Sequence, residues 1–263
     1  MTSQFDAETA ITARPDGTWT TSLSSAWNIN DNSNGGYLLT PALRAMQSLS
    51  GHPDPLTVTT HFFRPGRGDA TADITAEVLK QGRTITTTAG QVIQEDKPRL
   101  TMLAGFGDVD APAASSAKLS IPMPDLAPPD ECTDRTSLSQ GITVALNSRA
   151  EIRVQPDQPA HGASPQSDML GWVRFRDGTE PSTMSLPFFC DAFPPSIFTL
   201  MGVIGWVPTI ELTVHVRRRP APGWLAAHFW CDDFTNGKMI ESGRLWDSTG
   251  ALVAQSRQIG LLL

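Results

Sequence analysis

The sequence predicts an α+β fold in which two similar units, each a helix across an antiparallel sheet, join into one extended sheet. Three observations carry this reading. Each half runs through the same patterns in the same order: helix, Thr/Val-rich strand, Arg-Pro, strand, Gly-basic turn, strand, hairpin, strand. Two anchors recur at one spacing: Pro65 to Gly82 and Pro220 to Gly237 are equally separated (82 − 65 = 237 − 220 = 17), an offset of 155. A Pro-rich stretch with Pro112, Pro122, Pro124, Pro128 and Pro129 lies between the halves. The expected divisions are therefore 1–108, a linker over 109–141, and 142–263.

Composition supports a globular chain. It has 263 residues, 40% of them apolar, enough to bury a sizeable core. Twenty basic residues face 27 acidic ones, a net charge of −7. That balance argues against a nucleic-acid backbone binder, which needs a basic footprint. Cys132, Cys190 and Cys231 have neither the number nor the spacing of a disulfide framework or a metal site, so no metal or cofactor is expected. No secretory leader pattern is seen, and no run approaches about 18 apolar residues, so no membrane span is expected and the expected setting is cytoplasmic. Assembly with further copies of the chain is left open.

Taken in order, residues 1–25 are polar, with part of an edge strand. The Asn/Gly-rich stretch Asn28–Leu39 is a loop running into a helix, read from Tyr37 through Leu38, Ala42, Ala45, Met46 and Leu49. Pro41 is expected in its first turn, and Gly51 and Pro53 stop it. Four strands follow at Leu56–Phe63, Ala72–Leu79, Thr84–Ile93 and Arg99–Gly105. In the second half, Ile142–Val154 reads as one or two short strands, Gln155–Pro165 as a polar loop and Met169–Phe175 as a strand. Ser185–Val203 holds the second helix. Thr209–Arg217, Leu225–Asp232, Lys238–Trp246 and Ala251–Leu262 are four more strands.

One stretch asks for a chemical explanation. Leu186–Ser196, LPFFCDAFPPS, sets a single carboxylate, Asp191, among apolar and aromatic residues. Such an acid either caps a helix or has a tuned pKa. The offset sets Gly36 against Asp191 (36 + 155 = 191), so only one copy keeps the acid. Thr209 opens a strand and by itself reads as an ordinary β-former. Gln258 shares a strand face with Ser256 and Ala254, either as a satisfied core group or as a group that positions a water. Backbone N–H groups at Gly35 and Gly36 open the first helix and suit a polarised carbonyl. His61 and His215 have no evident partner. Cys190 lacks a paired His and reads as a structural thiol.

These stretches together resemble the thioesterase-like double-hotdog superfamily, and the second half resembles the TesB-type acyl-CoA thioesterases. The resemblance rests on Asn34–Leu38, His61–Gly66 and Gln81–Ile85 in the first half. In the second it rests on Cys190–Phe193, Thr209–Pro220 and Asp247–Gly260. It implies a double-hotdog fold, an acyl-CoA substrate and water-mediated thioester hydrolysis. It also implies Asp191, Thr209 and Gln258 as the catalytic trio. Two departures stand beside it: Glu211-Leu212 where the family often has Asp-His, and Ile259 where it has Glu. Arg217, Arg218 and Arg219 form either a solvated face or a contact for coenzyme A phosphates. The rivals are a non-catalytic acyl-CoA or lipid binder on the same fold and a hotdog hydratase or dehydratase, which would want a His–Asp pair.

Overall fold

The computed structural model describes residues 3–112, 115–137, 142–156, 164, 166–202 and 206–262. The N-terminal segment forms a short helix α1 (Gln4–Glu8), β1 (Thr12–Ala13) and β2 (Trp19–Leu23). The helix was not expected, and five residues give too little periodicity to see one. A small hairpin of β3 (Asn28–Ile29) and β4 (Asn32–Ser33) leads into the long helix α2 (Gly35–Ser50). The strands β5 (Asp54–Phe62), β6 (Ala70–Lys80), β7 (Thr86–Gln94) and β8 (Lys97–Gly107) complete the first half. The second half contains β9 (Thr133–Asp134), β10 (Ala150–Val154), β11 (Asp168–Phe175), α3 (Leu186–Phe189) and α4 (Ile197–Met201). It ends with β12 (Thr209–Val216), β13 (Leu225–Thr235), β14 (Lys238–Trp246) and β15 (Leu252–Leu261).

Among the described residues, thirteen strands form one antiparallel sheet in the order β1-β2-β6-β7-β8-β5-β12-β15-β14-β13-β11-β10-β9. Read outward from the β5–β12 seam, six strands of each half correspond in order, and β9 is an additional strand at the end of the second half. The sheet ends on two-residue strands, which offer little free edge to another chain. This is the double-hotdog arrangement, with helices packed on one extended sheet.

The seam shows where the repeat closes on itself. Thr59 pairs with Thr213, a separation of 154, and Val58 pairs with Val214, a separation of 156. These bracket the sequence offset of 155. The offset carries one pair onto the other (59 + 155 = 214 and 58 + 155 = 213), so the repeat holds through the seam. Register shifts fall at matching places in the two units, between Pro55 and Thr57 and between Thr209 and Glu211.

Helix α2 starts two residues earlier than its apolar periodicity suggests. Asn34 caps it, its Oδ1 accepting the Tyr37 N–H at 2.9 Å, and Gly51 ends it with φ 71°. Pro41 is thus the seventh residue rather than part of the first turn, and it leaves the Tyr37 carbonyl without its helical donor. Leu39, Leu43 and Met46 are buried, and the helix lies across β6, β7 and β8. Each such side chain contributes about 1.5–3 kcal/mol by leaving water.

The second helix is not continuous. Ser185–Val203 reads as an apolar, Pro-interrupted segment holding the second helix, and Cys190–Ser196 divides that helix into α3 and α4. Pro194 and Pro195 supply no N–H for a helical ladder. The expected polar loop at Gln155–Pro165 lies largely outside the described residues, as does Val203 at the end of the expected helix.

The helices of the two units meet at Gly36. A Cβ there would stand 2.7 Å from the Phe188 Cα and 3.0 Å from the Asp191 Cβ. Backbone cannot yield as a flexible side chain can. Gly36→Ala is expected to cost about 1–3 kcal/mol, the range for overpacking. Denaturant unfolding checks this, and a midpoint equal to wild type would contradict the close contact.

Candidate active site

Asp191 follows Cys190, the last cap of α3, and its N–H donates to the Phe188 carbonyl at 3.0 Å. Its carboxylate does not cap its own segment. Oδ2 accepts the Gly36 N–H and the Asn34 Nδ2–H, each at 2.8 Å. The same Asn34 Nδ2 also donates to the Asp191 carbonyl at 2.8 Å. The acid of the second unit therefore caps the helix of the first, and the two positions equated by the repeat touch. Burial pushes the Asp191 carboxyl up to about 7. The Gly36 amide and Asn34 pull it down, while negative charge at Glu241 pushes it further up.

Thr209 opens β12, and its hydroxyl donates to Gln258 Oε1 at 2.9 Å. Gln258 lies on β15, paired with Leu212 on one side and Glu241 on the other. Its Nε2 donates to Glu241 Oε1 at 2.6 Å, and Glu241 Oε2 accepts the Ser196 N–H at 2.6 Å. Glu241 is buried, and burial raises its pKa against the pull of these donors.

Asp191, Thr209 and Gln258 all line one cavity of about 290 Å³. Its apolar wall includes Leu38, Phe62, Phe193, Phe198 and Met239, and two cations, Arg64 and Arg135, complete it. Arg135 is buried and donates from Nη1 to the Ala192 carbonyl at 2.9 Å; burial lowers its pKa to about 10. Arg64 is exposed and donates from Nη1 to the Pro98 carbonyl at 3.1 Å.

The three residues named by resemblance share this wall, but two other expectations need correction. Gly35 lines the cavity, whereas the Gly36 N–H is engaged by the Asp191 carboxylate and is not offered to a substrate carbonyl. Arg217, Arg218 and Arg219 follow the far end of β12, and none lines the cavity. Arg219 instead donates from Nη2 to both Asp54 oxygens at 3.1 and 3.2 Å, and from Nε to Asp110 at 3.2 Å. Its counterpart in the repeat, Arg64, does line the cavity, together with Arg135. Cys190 is buried, with its thiol pushed up to about 12 by burial, as suits a structural thiol.

Asn34 and Glu241 were missed as site residues. Asn34 carried a visible signal, a capping residue directly before Gly35-Gly36 at a helix start. Glu241 carried a weaker one: it alternates with Met239 and Leu245 on the inward face of β14.

Comparison with known proteins decides the family. Residues 23–107 match the family model described as the acyl-CoA thioesterase N-terminal domain, and residues 124–262 match that of the acyl-CoA thioesterase C-terminal domain. The chain belongs to the acyl-CoA thioesterase family. This thioesterase is an enzyme of the hydrolytic type, acting on an acyl-CoA-like thioester. It is similar to a crystal structure from Thermobifida fusca YX named for a thioesterase II, at 29% identity and TM-score 0.89, covering 99% of this chain and 98% of that one. A tesB protein of Mycobacterium avium subsp. paratuberculosis shares the fold at 18% identity and TM-score 0.78, with 98% of each chain covered. An uncharacterised protein of Mycobacterium tuberculosis is 23% identical over 264 residues, covering 91% of this chain and 89% of that one. Among the described residues, no helix is long and apolar enough to cross a membrane.

Proposed function

We propose that Asp191, Thr209 and Gln258 hold the water that hydrolyses an acyl-CoA thioester. The observation that carries this reading is the convergence of all three on one largely apolar cavity. Asp191 is suited to act as the general base. A carboxyl near neutrality is ionised enough to work and basic enough to accept a proton. The hydrogen bonds from Asn34 and from the Gly36 N–H both go to Oδ2. We assign Oδ1 to the water.

In this mechanism the water's oxygen attacks the thioester carbonyl as its proton passes to Asp191. The tetrahedral intermediate then expels the coenzyme A thiolate, which takes the proton from Asp191, so the products are the free acid and the thiol and Asp191 is again ionised. Thr209 and Gln258 fix the attacking water, with Gln258 held by two partners of its own. Leu38, Phe62, Phe198 and Met239 accept the acyl chain, whose transfer from water drives binding. Arg64, exposed at the cavity, takes the phosphates in place of the Arg217–Arg219 run. No histidine is among the described residues lining the cavity, which favours hydrolysis over a His-dependent hydration. We divide the chain into units at 1–108 and 142–263 with 109–141 connecting them, and an acyl-CoA substrate fits a cytoplasmic setting.

Release of free thiol from a panel of acyl-CoAs, followed with a thiol reagent, tests the reading. Wild type is expected to release thiol from at least one chain length. Gln258→Ala is expected to lose about 10²-fold or more in kcat, the scale of a lost polar contact to the reacting atoms. No release at any chain length, or an undiminished rate in Gln258→Ala, would overturn it.

A further inference from the structure

We infer that Glu241 is a positioning residue for this site, fixing the Gln258 amide and the loop that follows Asp191, and supplying a second negative charge that sets the pH at which the site works. The inference rests on the proposed roles of Asp191 and Gln258.

The geometry begins with the amide. A glutamine side chain can present either its oxygen or its nitrogen to a neighbour, and the choice decides what it can hold. Here Thr209 donates to Oε1 while Nε2 donates to Glu241. An ionised carboxylate only accepts, so Glu241 selects the orientation with Nε2 towards β14 and Oε1 towards the cavity wall. Glu241 and Gln258 are directly paired across β14 and β15, which brings their Cβ atoms within about 4.5–5.5 Å. The reach is therefore built into the sheet.

The other carboxylate oxygen works on the loop. Glu241 Oε2 accepts the N–H of Ser196, directly after Pro194 and Pro195, which both line the cavity. Because Pro194 and Pro195 lack N–H groups, Ser196 provides the first backbone donor after Phe193. One buried side chain thus ties the strand carrying Gln258 to the segment carrying Asp191.

Charge is the third contribution. Glu241 is buried, and its negative charge raises the pKa of Asp191. The other titratable groups near the pair are Arg135 and Arg64 in the cavity wall, Cys190 beside Asp191, and Cys231 across the ladder from Glu241. Both thiols have raised pKa values and so stay neutral. The balance at Asp191 is thus set by its own burial and by Glu241, which raise it, against the hydrogen bonds from the Gly36 and Gly35 amides and Asn34, which lower it.

The test is Glu241→Gln, which keeps size and removes charge. Its side chain has one accepting oxygen, so one of the two donors, Ser196 N–H or Gln258 Nε2–H, must face an amide NH₂. The expected kcat falls about 10- to 100-fold, the range seen when a partner orienting an active group is removed, with KM nearly unchanged. The acid limb of the kcat/KM profile is expected to move to lower pH, because a like charge near Asp191 is gone. In a Gln258→Ala background the same substitution should have little further effect on kcat. Glu241→Asp keeps the charge and shortens the reach, so it should lose kcat while retaining the wild-type acid limb.

A variant that melts earlier but keeps the wild-type acid limb and kcat would reduce Glu241 to a structural role and overturn the inference. Should Glu241→Gln not fold, an unaltered kcat in Glu241→Asp would overturn it. Asp191→Asn, run alongside, separates the two levels. If it leaves activity intact, the proposed site has failed. If it abolishes activity while the Glu241 variants behave as wild type, only this inference has failed.

Discussion

Asp191→Asn is expected to lower kcat about 10²- to 10⁴-fold, the contribution of a positioned general base. The substitution is isosteric. An amide oxygen can still accept from Gly36 N–H and Asn34, the two donors that hold Oδ2. The wild-type acid limb should follow the Asp191 carboxyl, pushed up to about 7 by burial. Below that pH the group holds its proton and cannot take one from water, so kcat/KM should fall as pH drops through about 7.

The same carboxyl bears on stability with a definite sign. Its folded-state pKa lies above the unfolded value near 3.9, so the folded chain binds more protons between the two. Its contribution to stability is then present below the unfolded pKa and lost as pH rises from about 4 through about 7. Removing the charge relieves that cost. Asp191→Asn should therefore unfold no earlier than wild type at pH 8, and later if anything. A pH–rate profile and a melting series at pH 5 and 8 check both halves. Retained kcat, or destabilisation at pH 8, would contradict the assigned role.

Phe188→Ala is expected to produce the largest loss of stability, about 3–5 kcal/mol. Its ring is fully buried where α1, α3 and β11 meet. The Trp27 ring stands edge-on at 5.1 Å, Phe175 stacks at 5.7 Å, and Phe5 and Phe189 lie at 5.6 and 5.2 Å. The backbone of Phe188 also forms the surface that Gly36 approaches. Truncation leaves a void among rigid rings that cannot collapse into it. The thermal midpoint should drop on the order of 10 °C. A fall of one or two degrees would show that the cluster repacks.

Much of the architecture was legible because strands advertise themselves by alternation. The expected strands Ala72–Leu79 and Lys238–Trp246 lie within or on the observed ones. Helices were harder to read wherever proline or brevity intervened. In the Pro-interrupted run after Ser185, Pro194 and Pro195 mark a loop turning into a helix, which is α4, but the four residues of α3 before them are too short to show a period. The five residues of α1 could not announce themselves, although Phe5 packs against Phe175 and Glu8 holds Arg149 at 2.7 Å.

The candidate site was legible only in part. Asp191, Thr209 and Gln258 come from a loop and two strands, and no spacing rule brings such residues together. Family resemblance supplied them. Glu241 escaped notice because its neighbours Lys238 and Arg244 make that strand look solvated. Arg217–Arg219 drew attention as a charge run, but the strand direction carries them away from Thr209, to the opposite end of β12.

The Asp54–Arg219 pair tells what became of the other half of the duplication. Asp54 opens β5 as Thr209 opens β12, and Arg219 answers to Arg64 in the repeat. Asp54 is fully buried, accepting from Arg219, from the Thr183 hydroxyl at 2.7 Å and from Val109 N–H at 3.3 Å. Where one copy keeps an arginine at an open mouth, its twin has become a latch. The symmetry of the repeat thus gives way to a division of labour, with one copy's position at the cavity wall and the other a fastening between the halves.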